Sequence, residues 1–206
     1  MPRQIPDDRD ETIFRAAREV FAAQGFAAAR MDDIAKAAGL SKATLYLHFA
    51  SKEELFFALT QELIDRMLPV VIPSDIGDVP APALIRQIIG TAMQQVTRPD
   101  VALVPRLVIG EGNRFPDLVA YYQEHAVSRI HHALQTIIEH GVARGEFRAV
   151  DARNSARSIM GGIIVTAIWK TVLEPAGADS VDVEAMADAH VAMVLGGLQV
   201  EAGAGS

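Results

Sequence analysis

Apolar positions recur along nearly the whole chain at helical spacing, and no stretch alternates in the manner of a strand. Ile13, Phe14, Ala17, Val20 and Phe21 form a first stripe, preceded by Asp7, Asp8 and Asp10, where carboxylates favour a helix N-terminus. Gln24-Gly25 predicts its end. Met31, Ile34, Ala35 and Ala38 form a second stripe with Asp32 and Asp33 in its first turn, and Gly39 stops it. Ser41 is placed to cap a third helix, and Ser51 with Glu54 has the spacing of a capping box for a fourth. Leu55, Leu59, Leu63 and Met67 run down that fourth helix, which Pro69 is expected to end. Pro69, Pro73, Pro80 and Pro82 with Gly77 read as a stiff connector. Further helices are expected over roughly 83–97, 100–111, 116–141, 151–173 and 181–199, with stops at Pro99, Gly112, Pro116, Gly141, Gly145 and Pro175 and start signals at Asp151 and Asp182. The tail Glu201–Ser206 is expected to be disordered.

The third helix has an unusual surface. On a 3.6-residue turn Leu45 and Phe49 fall together and face a core, whereas Ala43, Thr44 and Leu47 point the opposite way. Lys42 and Tyr46 border that outer face on one flank and His48 on the other. Small, hydroxyl and aliphatic groups edged by a cation, a phenol and an imidazole suit a DNA groove, the rim holding phosphates and the middle meeting base edges.

Half of the 206 residues are hydrophobic, enough for a sizeable core. The chain has no cysteine, which excludes disulfides, thiolate metal sites and cysteine nucleophiles. Met1–Glu11 is polar and charged, so no signal peptide is expected. Apolar stretches such as Ile159–Trp169 are too short to span a bilayer, and the expected location is cytoplasmic, without a membrane partner. The net charge of -7 argues superficially against nucleic acid, yet residues 1–50 balance seven basic against seven acidic side chains, so all of the excess lies in residues 51–206. A near-neutral head predicts modest, salt-sensitive affinity for DNA.

Phe21, Gly25-Phe26, Met31, Ile34-Ala35, Ala38-Gly39, Ser41, Thr44-Leu45-Tyr46, His48-Phe49 and Ser51-Lys52-Glu53 stand at fixed spacing. In these positions, over about residues 9–60, the chain resembles the TetR family of one-component transcriptional regulators. From Ala83 on it resembles the family only in helical character and length. The resemblance implies a three-helix DNA-binding head, joined by a fourth helix to a ligand-binding and dimerising body. The expected fold is therefore all-α with about nine helices: a helix-turn-helix domain over 1–50 and a body over 51–206, of which 51–68 connects. By position Lys42, Ala43, Thr44 and Leu47 would enter the major groove, and Tyr46, His48 and Lys52 would hold phosphates, with Ser41 at the cap completing the set. Leu45, Phe49, Phe21 and Ile34 would be core. The family often has hydroxyl residues just before the methionine. Ala29 and Arg30 stand here instead, which predicts a weaker cap and a phosphate contact from Arg30. Leu47 stands where a polar base reader is common, and a leucine there can pack on a thymine methyl.

The remaining chemistry is sparse. His125 and His132 are seven apart and share a helical face, but there is no HExxH and no carboxylate–histidine spacing of a closed site, so no metal and no cofactor are expected. Gly110-Glu111-Gly112 has no preceding strand and reads as a helix–helix turn. No nucleophile elbow or triad spacing appears, and no catalytic residue is expected. Ile159–Trp169 is apolar nearly all round, with Gly161-Gly162 permitting close approach. Together with Met193, Gly196 and Gly197, and with Ile164 on the same helix, it predicts a four-helix interface between two copies, because helix-turn-helix readers use two half-sites about 34–36 Å apart. Met93, Leu103, Leu107, Phe115, Tyr121, Tyr122, His125, Met160 and Trp169 are candidate lining for an effector pocket. The expected protein is a homodimeric regulator, most simply a repressor, whose partners are a double-stranded palindromic DNA operator and a small apolar or amphipathic effector. A helical binding protein or enzyme without DNA activity is the alternative, and non-specific architectural DNA binding is a third reading that the neutral head disfavours.

Overall fold

The computed structural model describes residues 8–71, 76–98, 101–102, 105, 108–110, 112–113 and 115–200. Among these the structure is all-α, with one isolated antiparallel bridge between Phe147 and Gln199. The elements are α1 (Asp8–Ala28), α2 (Met31–Ala37), α3 (Lys42–His48), α4 (Lys52–Val71), α5 (Ala81–Val96) and α6 (Pro116–Tyr122), followed by a π-helical turn Gln123–Val127. Then come α7 (Ser128–Ala143), α8 (Ala152–Ile168), a second π-helical turn Trp169–Leu173, and α9 (Val183–Leu198). Of the segment expected as a helix over 100–111, residues 101–102, 105 and 108–110 are helical, and the rest, with Pro73 and Pro99, lies outside the described residues.

The chain divides into two compact units, one from residues 1–65 and 103–122, the other from 66–102 and 123–206. The division into these units falls inside α4. In the first unit Ile13, Phe14, Ala17, Phe21, Ile34, Leu45, Leu55 and Leu59 make a core in which the stripes of α1, α2, α3 and α4 meet. Phe21, Phe26 and Phe56 stack within it at centroid distances of 5.5, 5.4 and 5.0 Å. Separations of this size suit tilted and edge-on rings.

In the second unit α5 is the axis. Leu84, Ile85, Ile88, Ile89, Ala92 and Met93 bury a wide face, against which α7, α8 and α9 all pack. Glu146 accepts a hydrogen bond from the first amide of α5, Ala81 N, at 2.6 Å, and that bond holds its carboxyl below the usual carboxylate range. Asp151 and Asp182 cap α8 and α9 from their side chains, as their positions predict. The continuous helix Ala152–Leu173 is 22 residues long and contains an 18-residue stretch of mean hydropathy 1.3, long and apolar enough by composition to cross a membrane, which corrects the expectation that this region is too short. Its buried residues Ile159, Met160, Ile163 and Ala167 give the ordinary reason for such a composition: they pack in the core of the second unit.

Two expected stops are placed differently. Helix α4 runs through Pro69 to Val71, because the missing amide of a proline in the last turn forfeits a single hydrogen bond. Helix α7 runs past Gly141 to Ala143, and Gly145, at a φ of 71°, supplies the left-handed residue of the Schellman turn that follows. The bonds of that turn run from Gly145 N to Val142 O at 3.1 Å and from Glu146 N to Gly141 O at 2.8 Å. Gly141 has another use. A Cβ there would lie 2.3 Å from Phe147 Cδ2 and 2.8 Å from Ala81 Cβ. Gly141→Val should therefore overpack the α5–α7 contact at a cost of about 1–3 kcal/mol, read as a lower midpoint in a urea melt. An unchanged midpoint would show that Phe147 turns aside freely.

Candidate nucleic-acid interface

The head is built from short helices whose ends are sharply defined. Gly25, at φ 75° and ψ 165°, breaks α1 before its last turn, a conformation that a side chain would oppose. Ala29 is buried and Arg30 is extended, so α2 begins without a side-chain cap, as the missing hydroxyl predicts. After α2, Gly39 (φ 68°) makes a Schellman turn, with Leu40 N donating to Ala35 O at 2.9 Å and Gly39 N to Lys36 O at 3.2 Å. Two residues later Ser41 Oγ accepts from Thr44 N at 3.0 Å and opens α3. The turn between α2 and α3 is thus fixed by one glycine and one serine.

Helix α3 then has only seven residues with which to meet two demands. Leu45 is fully buried, and Phe49 packs on Phe14 at 5.7 Å. On the other side Leu47 is 86% exposed and Tyr46 42% exposed, with Lys42 and Ala43 beside them. Tyr46 and Leu47 thus stand away from the buried face of the same helix. Lys42 Nζ reaches Asp32 Oδ1 at 2.7 Å, and this hydrogen bond raises the ammonium above its ordinary pKa. The same ammonium lies 5.9 Å from the Tyr46 ring centroid. Sequence reading gave Asp32 only a helix-dipole role. Its pairing with Lys42 depends on how α2 crosses α3, which spacing along the chain does not reveal.

The remaining candidates divide. Arg30 is exposed at the start of α2. The hydroxyls of Ser41 and Thr44 bond each other at 2.8 Å. His48 turns toward α1, where its Nδ1 donates to Asp10 Oδ1 at 3.1 Å, an arrangement that orients the ring and leaves Nε2 outside the pair. Lys52, expected to hold a phosphate, has its ammonium turned inward. It donates to the carbonyls of Phe26, Ala27 and Ala29 at 2.7, 3.2 and 3.0 Å and sits 4.6 Å from the Phe26 ring centroid. The end of α1 presents unsatisfied carbonyls, and a cation is the natural partner for them. Glu54 completes the start of α4 by receiving Ala50 N at 2.8 Å, while Ser51 Oγ receives Glu54 N at 3.0 Å. This is a capping box displaced by one residue.

Residues 13–59 match the model of bacterial regulatory proteins of the tetR family, and residues 83–197 match the model of the C-terminal domain of AefR-like transcriptional repressors. The chain belongs to the TetR family. It is a helix-turn-helix transcriptional regulator, and α2 and α3 are the two helices of that motif. The transcriptional activator FasR of Mycolicibacterium smegmatis is 47% identical over 62 residues, 30% of this chain and 28% of that protein. The regulator EthR of the same organism is 40% identical over 64 residues, 31% of this chain and 30% of that protein. The matched part thus spans less than a third of either curated relative. Among solved TetR-family structures, the fatty acid degradation regulator FadR from Bacillus halodurans shares the fold with a TM-score of 0.76 at 22% identity, covering 93% of this chain and 97% of that one. AibR, solved in complex with isovaleryl coenzyme A and operator DNA, does so with a TM-score of 0.70 at 22% identity, over 90% of this chain and 97% of that one.

In the TetR-family body the expected pocket residues scatter. Leu103 and Leu107 lie outside the described residues. In the first unit Phe115 packs edge-on against Phe26 at 4.8 Å and Tyr121 against Phe57 at 5.9 Å, while burial pushes the Tyr122 phenol up to about 12. In the second unit Met93 is fully buried in the core, His125 is half-buried, and Trp169 closes a turn by donating from Nε1 to Asp179 O at 2.9 Å. Met160 lines a groove between α7 and α8. Of the expected interface residues, Gly161, Ile164, Met193, Gly196 and Gly197 are exposed. Gly162 is used within the chain instead: a Cβ there would lie 2.4 Å from His190, whose Nε2 donates to Ile159 O at 3.0 Å. The bare backbone at Gly162 seats an imidazole between α8 and α9.

The role of Lys52 is open to a direct check. Lys52→Met keeps the aliphatic stem and removes all three donors, and it should destabilise the free protein by about 1–3 kcal/mol in a urea melt without DNA. A lysine that only awaited a phosphate would leave the melt unchanged.

Proposed function

We propose that this regulator binds a two-fold-related operator as a homodimer, represses by occluding a promoter, and is released by a small apolar or amphipathic effector held in its body. The observation that carries the proposal is the outer surface of α3, where Leu47 and Tyr46 stand exposed while Leu45 and Phe49 anchor the same helix in the core. Lys42, Ala43, Thr44 and Leu47 face the major groove in this reading, and the Leu47 side chain packs on a thymine methyl. Arg30 and Tyr46 hold phosphates, with His48 at the edge; Lys52 acts by positioning the end of α1. Lys42 exchanges its partner Asp32 for DNA.

Pairing of two heads needs a self-complementary surface. The exposed apolar groups of α8 and α9, namely Ile164, Val165 and Met193 at 41%, 54% and 75% exposure, support such an interface next to the open glycines Gly161, Gly196 and Gly197. For the effector, the coenzyme A thioester bound by AibR and the stearoyl-CoA bound by FadR from Bacillus subtilis support an amphipathic class. The effector acts by preferring a conformation in which the head spacing no longer fits the operator, since equal affinity for both states shifts nothing.

Selection from a random duplex library should enrich a two-fold-related sequence with the wild-type chain and lose it with the Tyr46→Ala, Leu47→Ala double variant. Failure to enrich any sequence at low salt, with folded protein, would defeat the operator reading. Arg30→Ala should weaken binding uniformly across sequences and reduce the salt slope by about 1. An unchanged slope removes Arg30 from the phosphate contacts.

Met193→Glu places a charge on the exposed apolar strip. Sedimentation should find a folded monomer with poor operator binding; a variant that remains dimeric would place the interface elsewhere.

A further inference from the structure

Asp32 and Lys42 belong to different helices of the head. Asp32 lies in the first turn of α2, and Lys42 is the first residue of α3. Lys42 Nζ donates to Asp32 Oδ1 at 2.7 Å, and both side chains are exposed. An exposed pair of this kind contributes little to stability. The two helices are anchored instead by Met31, Ile34, Ala35 and Leu45, which are buried. The pair stands at the edge of the outer surface of α3, with Nζ 5.9 Å from the centroid of the exposed Tyr46 ring. Arg30 is close enough for its charge to act on the same ammonium. Two cations beside one carboxylate leave this corner of the head positive, so Asp32 does not repel DNA from it.

In helix-turn-helix readers the N-terminal residues of the second helix contact base edges. Lys42 holds that position, and the Asp32 carboxylate, one hydrogen bond away, is carried to the same place. When Lys42 gives up Asp32 for DNA, a carboxylate is left at the interface, which is costly unless the DNA supplies a donor in return. A phosphate supplies none and carries like charge. In the major groove only cytosine N4 and adenine N6 donate. Their surroundings differ. Across a G·C pair the groups run acceptor, acceptor, donor, from guanine N7 and O6 to cytosine N4. Across an A·T pair the donor stands between two acceptors, adenine N7 and thymine O4, both of which oppose a carboxylate. A side-chain pair with one cationic and one anionic end therefore matches the G·C edge. The spacing agrees as well: guanine O6 and cytosine N4 are joined by a hydrogen bond of about 2.9 Å, and Lys42 and Asp32 by one of 2.7 Å.

We infer that Asp32 and Lys42 together read one G·C base pair in each half-site, Lys42 donating to guanine O6 and N7 and Asp32 accepting from cytosine N4. Asp32 is then a specificity-determining residue supplied by α2, beside those supplied by α3. The inference rests on the reading that α3 enters the major groove, and adds to it the identity of one base pair and a second helix that reads.

Anisotropy titrations of the full chain test it, on the operator selected from a random duplex library and on operators changed one base pair at a time. At one position of each half-site the wild type should prefer G·C over A·T by about five-fold or more. Asp32→Ala and Lys42→Ala should each lose that preference and keep the others. N4-methylcytosine at that position replaces the amino hydrogen facing the major groove with a methyl group and keeps the base pair. It should weaken wild-type binding by about five-fold or more, whereas Asp32→Ala should bind the methylated and plain duplexes equally. The methylated duplex probes the wild-type chain itself, so its result does not depend on how the substitutions affect folding. An operator on which Asp32→Ala keeps every base preference, or on which N4-methylcytosine weakens the wild type at no position, overturns the inference and leaves the operator reading standing. A library that yields no enriched sequence defeats the operator reading, and the inference with it.

Discussion

The head depends on how the end of α1 is held. Gly25 breaks that helix, and from the first turn of α4 the Lys52 ammonium gathers two carbonyls of its last turn, those of Phe26 and Ala27, and that of Ala29 just beyond it. The same ammonium rests on the Phe26 ring, and Phe26 lies among Phe21, Phe56 and Phe115. One cation thus closes the backbone of α1, and the ring beneath it is locked by three others. Since α2 starts two residues after that turn without a side-chain cap of its own, its position is set by this junction and by the burial of Met31, Ile34 and Ala35. Helix α3 inherits the placement through the Gly39 turn and the Ser41 cap. The orientation of the exposed Tyr46 and Leu47 is therefore set by groups outside α3.

This explains what could be read from the residues alone. Stops and caps are local: Gly25, Gly39, Ser41, Asp151 and Asp182 act on their own neighbours, and their residue types announce the act. The two faces of α3 were legible too, because periodicity alone separates Leu45 and Phe49 from Ala43 and Leu47. Partners distant in sequence were not legible. A lysine in the first turn of α4 looks like an anion contact until the carbonyls 23 to 26 residues earlier are seen beneath it. Gly141 and Gly162 look like a stop and an interface residue until Phe147 and His190 are found filling the space. Pro69 looks like a terminator because the rule concerns helix interiors, whereas here it falls in a last turn.

The second unit has a different logic. Its order comes from one helix, α5, whose wide apolar face is buried and around which other helices pack, and such packing is tolerant of detail provided the volume is filled. That tolerance leaves outer faces free to vary, as α8 illustrates: Ile159, Ile163 and Ala167 are buried inward, while Arg153 and Arg157 line one groove and Val165 stands exposed. A single helix thus serves packing and two kinds of surface at once.

In the proposed complex the exposed leucine on α3 would decide which chemistry of a base is sensed. An aliphatic side chain forms no hydrogen bond, so at its position in the proposed complex Leu47 senses only whether a pyrimidine ring carries a methyl group facing the major groove. Thymine has that methyl, and so does cytosine methylated at C5. In that proposed contact the distinction drawn is between a methylated and a bare pyrimidine, and the modification state of the operator would become part of what is read.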